Sequence, residues 1–235
     1  MEKLIEVKSV QKKYILGDIS SNALDHLSVD IYKGETIVIL GPSGSGKTTL
    51  LNVMSGLDSV TSGKVLYEGK NITKWPDFMI TKFRKKNLGF IFQTYNLLEH
   101  LNVYENVLVG QKLGKEKTNV NEIIKTVGLA KHKKKYMYEL SGGEQQRVSI
   151  ARALAKNPKV MFCDEPTGAL DEVTGKVVLQ SLVEVNKKTK TTMIIVTHNP
   201  GIALIGDRVI KMNSGKIIEI IKNKSRIAPK EIPWG

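Results

Sequence analysis

A glycine-rich turn between an apolar run and a helical pattern constrains this chain more than any other feature. Residues 41–49 read GPSGSGKTT, which satisfies the pattern G-x-x-x-x-G-K-[ST]. The apolar run over residues 36–40 predicts a buried strand, and the apolar spacing over residues 50–54 predicts a helix. A glycine turn at a helix start directs several backbone N–H groups and the positive helix end toward one point. The arrangement predicts a site for phosphate oxygens.

Two side chains at the end of the turn strengthen this interpretation. Lys47 supplies a positive charge for β- and γ-phosphates, and Thr48 supplies a hydroxyl for Mg²⁺. A plain glycine turn before a helix would account for Gly44 and Gly46, but not for the full Gly-Lys-Thr order. We expect the phosphates to lie against Gly41, Ser43, Gly44, Ser45, Gly46, Lys47, Thr48 and Thr49.

Composition indicates a soluble fold without covalent cross-links. Hydrophobic residues make up 41% of the 235 residues, which is ordinary for a domain with a core of normal size. No apolar run approaches the roughly 20 residues that span a bilayer, and the first residues open no signal peptide. We therefore expect a cytoplasmic protein. The single cysteine, Cys163, lies in an apolar run and is expected to be a core residue.

The net charge of +13 raises the question of an anionic partner. Only five of the 36 basic residues are arginines, and they are scattered along the chain. Arginine forks are the usual means of recognising bases and phosphates, whereas lysine gives diffuse attraction. We therefore expect no specific nucleic acid. A solvated surface accounts for most of the lysines, and an anionic membrane surface is an alternative partner.

Polar side chains follow three short apolar runs that read as buried strands. Gln93 follows residues 88–92, the pair Asp164 and Glu165 ends a second run, and His198 ends a third. Neighbouring side chains on a strand point oppositely, so Asp164 can reach a magnesium shell while Glu165 faces a nucleophilic water. Gln93 is either a strand cap or a ligand near the γ-phosphate. His198 is either a core histidine or a γ-phosphate contact, which its position at a strand end favours.

A second candidate anion site lies at residues 140–147, which read LSGGEQQR. Ser141 and Glu144 have the spacing of a capping box and predict a helix start, with a stop near Asn157 and Pro158. Two consecutive glycines at a helix start leave backbone amides accessible.

The first part of the chain reads as antiparallel strands, because residues 1–40 and 60–72 alternate apolar and polar positions between turn residues. Tyr14 precedes an expected loop at residues 17–22. Its ring either stacks on an adenine or forms part of the core, and the sequence leaves both alternatives open.

Taken together, these motifs resemble the ATP-binding subunit of an ABC transporter. The resemblance covers nearly all of residues 1–221 and rests on GPSGSGKTT, Gln93, LSGGEQQRV, VMFCDEP, the loop Ala169-Leu170-Asp171 and His198. More narrowly, DEPTGALD and LGFIFQ with YNLL look like the branch of macrolide exporters, lipoprotein-release ATPases and peptide-resistance ATPases. That branch also includes the division-associated ATPase.

The resemblance implies an α/β fold: a P-loop NTPase (RecA-like) core, an antiparallel β subdomain and an inserted helical subdomain. Residues 1–221 would form a single ABC ATPase domain. Within it, residues 1–94 and 157–221 would form the core with the β lobe, and residues 95–156 would form the helical subdomain. Residues 222–235 would be a tail that either docks through Trp234 or stays disordered.

The resemblance also implies the roles of the site residues, with ATP and Mg²⁺ as cofactors. Glu165 would activate the attacking water, while Lys47 and His198 would stabilise the transferred phosphoryl group. Thr48, Gln93 and Asp164 would hold the metal. The nucleotide would contact Tyr14 and Gln93 and, across a head-to-tail dimer, Ser141, Gly142, Gly143 and Asp171.

The implied partners are a second copy of the chain and an integral-membrane permease with few spans, met on the inner face of the cell membrane. The complex would export or release a hydrophobic, peptide or lipid-like substrate. An ATPase that moves a non-transporting membrane partner is the first alternative. A soluble ABC protein acting on DNA or ribosomes is the second, although the chain has one motif set and no sustained heptads.

Overall fold

A computed structural model describes residues 2–17, 19–114 and 117–234 of the chain. The strands are β1 Lys3–Leu16, β2 Ile19–Tyr32, β3 Thr36–Leu40, β4 Ser62–Tyr67, β5 Lys70–Asn71, β6 Leu88–Ile91, β7 Val160–Asp164, β8 Thr192–Thr197, β9 Arg208–Asn213 and β10 Lys216–Lys222. They form a four-stranded antiparallel sheet in the order β2-β1-β4-β5 and a six-stranded sheet in the order β10-β9-β3-β8-β7-β6. In the second sheet β10 runs antiparallel to β9, and the other pairs are parallel.

The helices are α1 Lys47–Ser55, α2 Asp77–Asn87, α3 Val103–Leu113, α4 Val120–Thr126, α5 Gly142–Ala155 and α6 Glu172–Thr189. Helix α5 begins as its sequence predicts, because Ser141 is its N-cap and forms a capping box with Glu144. No helix within the described ranges is both long and apolar enough to cross a membrane.

The six-stranded sheet separates two apolar cores. Val38 packs into the core that contains α3, α4, α5 and α6, whereas its neighbours Ile37 and Ile39 pack into the core that contains α1 and the antiparallel sheet. Side chains alternate between the two faces of a strand, so a strand buried on both faces needs an unbroken apolar run. This explains why β3, β7 and β8 are almost continuously apolar.

This arrangement confirms the predicted α/β architecture with a separate antiparallel sheet. One local prediction is wrong: residues 19–22 belong to β2 and are not part of a loop, and Ser21 pairs directly with Tyr14 of β1. Residues 20–22 are exposed and polar, so no apolar alternation marks them as strand. The charged segment at residues 81–86 lies in α2, a helix with no buried residue.

The tail docks on the domain, which resolves the alternative that the sequence leaves open. Ile232 is buried, and the indole ring of Trp234 lies so close to Gly175 on α6 that an added Cβ would collide with it. The backbone of Pro233 similarly approaches Gly201, in the short 3₁₀ turn Pro200–Ile205. The tail therefore connects α6 to the segment that follows β8.

Candidate functional site

The glycine turn after β3 has the backbone geometry of an anion site. Gly46 is the N-cap of α1 at φ 95°, and Gly44 lies at φ 76°, a region that residues with a Cβ rarely adopt. An added Cβ at Gly46 would also collide with the carbonyl oxygen of Ala23 on β2. Among the described residues no side chain caps the start of α1, so its first amides lack a capping partner. The Lys47 ammonium lies over the same turn and donates to the Pro42 carbonyl at 2.9 Å.

A cavity of about 660 Å³, here called the phosphate-turn cavity, lies over this turn and has a size suitable for a small-molecule ligand. Its lining comes from β2 and from segments that follow strands of the six-stranded sheet. The predicted residues that line it are Ser43, Gly44, Ser45, Gly46, Lys47, Thr48, Thr49, Gln93, Glu165 and His198. Four further residues line the cavity although no sequence motif marks them: Ser21, Asn22, Ala23 and Ser214. Gly41 does not line the cavity, and its lack of a side chain permits close packing against the Met212 carbonyl.

Oxygen ligands suited to Mg²⁺ meet beside the turn. The Thr48 hydroxyl donates to Oδ1 of Asp164 at 3.2 Å, joining the start of α1 to the end of β7. Burial raises the pKa of Asp164 and Glu165 adds to this, while the bond from Thr48 and the charge of Lys47 act in the opposite direction. The described residues contain no cluster of three His, Cys, Asp or Glu side chains able to hold a metal alone. The donors fit Mg²⁺, which commonly takes one or two carboxylates with phosphate and water oxygens.

Glu165 and His198 form a hydrogen-bonded pair at the ends of adjacent strands. Oε1 of Glu165 lies 3.0 Å from Nδ1 of His198. The backbone N–H of Glu165 donates to the Val196 carbonyl, and the residue adopts φ 47°, a left-handed conformation that costs about 1–2 kcal/mol. Such strain is concentrated at functional sites, because only the surrounding structure can hold it. The carboxylate is thereby fixed at the cavity.

The second glycine motif lies apart from this cavity. Gly142 and Gly143 at the start of α5 approach Tyr95 and Thr174 so closely that neither has room for a Cβ. Asp171 caps α6 by accepting from the Thr174 amide at 3.0 Å. The structure thus groups Ser141, Gly142, Gly143 and Asp171 with one another, and none of them lines the phosphate-turn cavity.

Gln146 connects the two regions, although no sequence motif marks it for this role. Its fully buried side chain donates to the Phe92 carbonyl at 3.2 Å and to the Pro166 carbonyl at 2.8 Å. Phe92 precedes Gln93, and Pro166 follows Glu165. The sequence of an amphipathic helix does not indicate which distant carbonyls a polar residue within it will bind. This role of Gln146 is therefore visible only in the three-dimensional structure.

Tyr14 lies beside the cavity without lining it. Its side chain is 44% exposed, and its hydroxyl donates to Oδ2 of Asp58 at 2.7 Å. The ring is therefore only partly buried, which leaves ring surface accessible to a ligand.

The sequence model of the ABC transporter family matches residues 24–168, which is more than half of the chain. The chain therefore belongs to this family. It is 40% identical over 223 residues to an uncharacterised ABC transporter ATP-binding protein of Methanocaldococcus jannaschii, covering 93% of this chain and 99% of that protein. It is also 46% identical over 237 residues to a provisionally named ABC transporter ATP-binding protein of Mycoplasma genitalium. That match covers 99% of this chain, which spans about half (51%) of the relative's length.

Solved structures of ATP-binding cassettes have the same fold. The cassette MJ0796, solved as a dimer in a post-hydrolysis state bound to ADP and Pi, superposes with a TM-score of 0.84 at 35% identity. That similarity covers 94% of this chain and all of the other. The cbiO1 protein of Clostridium perfringens, part of an ABC transporter complex, has a TM-score of 0.83 at 31% identity over 98% of this chain and 90% of its own.

Proposed function

We propose that this chain binds ATP with Mg²⁺ in the phosphate-turn cavity, hydrolyses it, and drives a membrane permease. One observation carries the proposal: the cavity brings the phosphate turn, Gln93, Glu165 and His198 together from separate parts of the chain. The Thr48–Asp164 bond supplies oxygen ligands at the same place. We further propose that residues 1–221 form one ATPase domain, with residues 95–156 as its helical part.

The geometry supports a different role for each group of side chains at the site. The turn amides and Lys47 would bind phosphate oxygens and stabilise the charge that develops on the transferred phosphoryl group. Glu165 would accept a proton from the attacking water, and His198, held 3.0 Å from it, would orient that carboxylate and contact the γ-phosphate. Thr48, Asp164 and Gln93 would hold Mg²⁺, which neutralises phosphate charge when bound.

The separation of the two glycine motifs supports a dimeric active form. Within one chain, the phosphate-turn cavity is not lined by Ser141, Gly142 or Gly143. A second copy of the chain would therefore have to bring these residues to the nucleotide bound by the first. Asp171 would lie at the same junction. The cassette MJ0796, which this chain resembles, was solved as a dimer. ATP would thus close a head-to-tail homodimer, and hydrolysis would reopen it.

The proposed partner is an integral-membrane permease with few spans, met on the inner face of the membrane. Membership of the ABC transporter family supports a permease partner. The residues shared with the exporter and lipoprotein-release branch support export or release of a hydrophobic, peptide or lipid-like substrate.

The decisive experiment uses Glu165→Gln, which keeps the shape of the side chain and removes the base. We expect ATP turnover to fall by about 10²–10⁴-fold and an ATP-bound dimer to accumulate on size-exclusion chromatography. Glu219→Gln, which changes an exposed carboxylate of β10 that pairs with Lys211 of β9, is the matched control and should behave like wild type. Turnover at the wild-type rate in Glu165→Gln would remove this residue from the proposed role.

A second variant tests the dimer. Ser141→Ala should retain ATP binding in the monomer but lose most of its turnover, because the altered residue would act on the partner's nucleotide. Loss of ATP binding by the isolated monomer would contradict the two-chain arrangement.

A further inference from the structure

The loop after α1 contains a carboxylate that holds two side chains of β1. Asp58 accepts from the Tyr14 hydroxyl through Oδ2 at 2.7 Å and from the Lys12 ammonium through Oδ1 at 2.6 Å. The Ser59 amide donates to Oδ1 as well, at 2.7 Å, which fixes the carboxylate relative to its own backbone. Since α1 starts at the phosphate turn, Asp58 ties β1 to the helix that carries that turn.

Lys12 adds a second constraint on the tyrosine ring. Only 8% of Lys12 is exposed, and its ammonium lies 4.9 Å from the centre of the Tyr14 ring. A buried ammonium requires a partner, and Asp58 is the acid to which it is bonded. The cation covers part of one face of the ring, where it is attracted by the π electrons. The ring is thus held at its hydroxyl and on one face.

The Tyr14 ring lies next to residues that line the phosphate-turn cavity. Tyr14 pairs across the strands with Ser21, which lines that cavity. The side chain of Thr49, a second residue of the lining, acts to lower the pKa of the Tyr14 hydroxyl, against the larger effects of burial and Asp58. The open part of the ring therefore lies at the rim of the cavity, on the side of β1 and β2.

The ionisation states suit this arrangement. Burial alone would raise the pKa of Asp58, but hydrogen bonds from Lys12, Tyr14 and Ser59 outweigh it and lower the pKa. Burial, with the bond to Asp58, raises the pKa of Tyr14. Near neutral pH, Asp58 is a carboxylate that accepts all three bonds, and Tyr14 keeps the proton that it donates.

We propose that Asp58 is a positioning residue for nucleotide recognition, fixing the Tyr14 ring so that its open face stacks on the adenine of ATP. This inference rests on the proposed ATP-binding function and adds to it the residue that sets the ring's orientation. A ring that is already fixed loses less conformational freedom when a base stacks on it, so binding is tighter. Asp58 itself does not line the phosphate-turn cavity.

The test compares ATP with inorganic triphosphate, which lacks the base. Dissociation constants are measured by calorimetry for wild type, Tyr14→Phe, Asp58→Ala and the double variant. Tyr14→Phe keeps the ring and the Lys12–Asp58 pair, so it remains informative if Asp58→Ala folds poorly. Asp77→Ala, which removes an exposed carboxylate in the first turn of α2, is the matched control and should bind like wild type.

We expect each single variant to bind ATP about three- to tenfold more weakly, with triphosphate binding unchanged. KM should rise by a similar factor, while kcat at saturating ATP stays within twofold, a separation that general damage to the fold would not produce. In the double variant the two effects should not add, because both remove the same hydrogen bond.

The outcomes separate this inference from the proposed function. Wild type that binds neither ATP nor triphosphate would overturn the proposed function. Wild type that binds ATP, with Tyr14→Phe binding it equally well, would overturn the positioning role of Asp58 alone. Equal weakening of ATP and triphosphate would also overturn that role, because the effect would then not depend on the base.

Discussion

Replacing Gln146 by Met tests whether this buried amide holds the catalytic strand ends in place. The two side chains have similar volumes, so the change mainly removes the bonds to Phe92 O and Pro166 O. Leaving a buried carbonyl unpaired costs about 1–3 kcal/mol. The Gln146 Oε1 atom has no hydrogen-bond partner within the described ranges, and its removal offsets part of that cost. We expect a net loss of about 2 kcal/mol in the free energy of unfolding.

The same substitution should reduce turnover more than nucleotide binding. Phe92 and Pro166 flank Gln93 and Glu165, and small displacements of catalytic groups cost up to about 10²-fold in rate. We expect kcat to fall at least about tenfold, with the dissociation constant for ATP nearly unchanged.

Urea unfolding and steady-state ATPase measurements check both expectations. The matched control is Gln145→Met, which removes bonds to the Met137 and Leu140 carbonyls from a half-buried position where water can replace them. Its loss of stability should stay below about 1 kcal/mol. If Gln146→Met proved as stable and as active as Gln145→Met, the proposed link between α5 and the strand ends would be refuted.

Three further predictions concern stability. Arg208 binds the buried Glu35 carboxylate through two hydrogen bonds, from Nε at 2.9 Å and from Nη2 at 2.7 Å. Arg208→Met leaves this carboxylate without its partner and should lower the free energy of unfolding in urea by about 3–5 kcal/mol. A loss below about 1 kcal/mol would contradict this. Burial lowers the pKa of Lys156 from 10.5 to about 8. Between pH 8 and pH 10.5 the unfolded chain therefore binds one proton more than the folded chain, and the free energy of unfolding should rise with pH in this range. Chemical denaturation at pH 8 and pH 10 should show this gain, up to about 1.4 kcal/mol per pH unit, in wild type but not in Lys156→Met. Gly110→Ala should cost about 1–3 kcal/mol, because its Cβ would collide with the Arg152 carbonyl between α3 and α5; an unchanged urea midpoint would argue against that close packing.

The features that the sequence predicts well are those encoded by neighbouring residues. The phosphate turn, the capping box at Ser141 and the apolar runs that precede Gln93, Glu165 and His198 are each contained in a short stretch. Parallel strands end at a common edge, so several strand ends could be assigned to one site without knowing their order in the sheet.

The features that the sequence did not predict depend on contacts between distant segments. Asp58 reads as an ordinary loop residue until the fold places it against Lys12 and Tyr14. The strand assignment of residues 19–22 comes from pairing with β1, since their polar side chains show no alternation. The docking of Trp234 likewise depends on a missing side chain at Gly175, and no local pattern relates the two.

The contact between Gly175 and Trp234 has a consequence for the evolution of this fold. Because a Cβ at position 175 would occupy the space of the indole ring, the sizes of the two residues limit each other. Relatives with a larger residue at the first position should carry a smaller residue at the second, or a tail that follows another course. Paired substitutions at these two positions would therefore mark, in an alignment, which lineages keep the tail against α6.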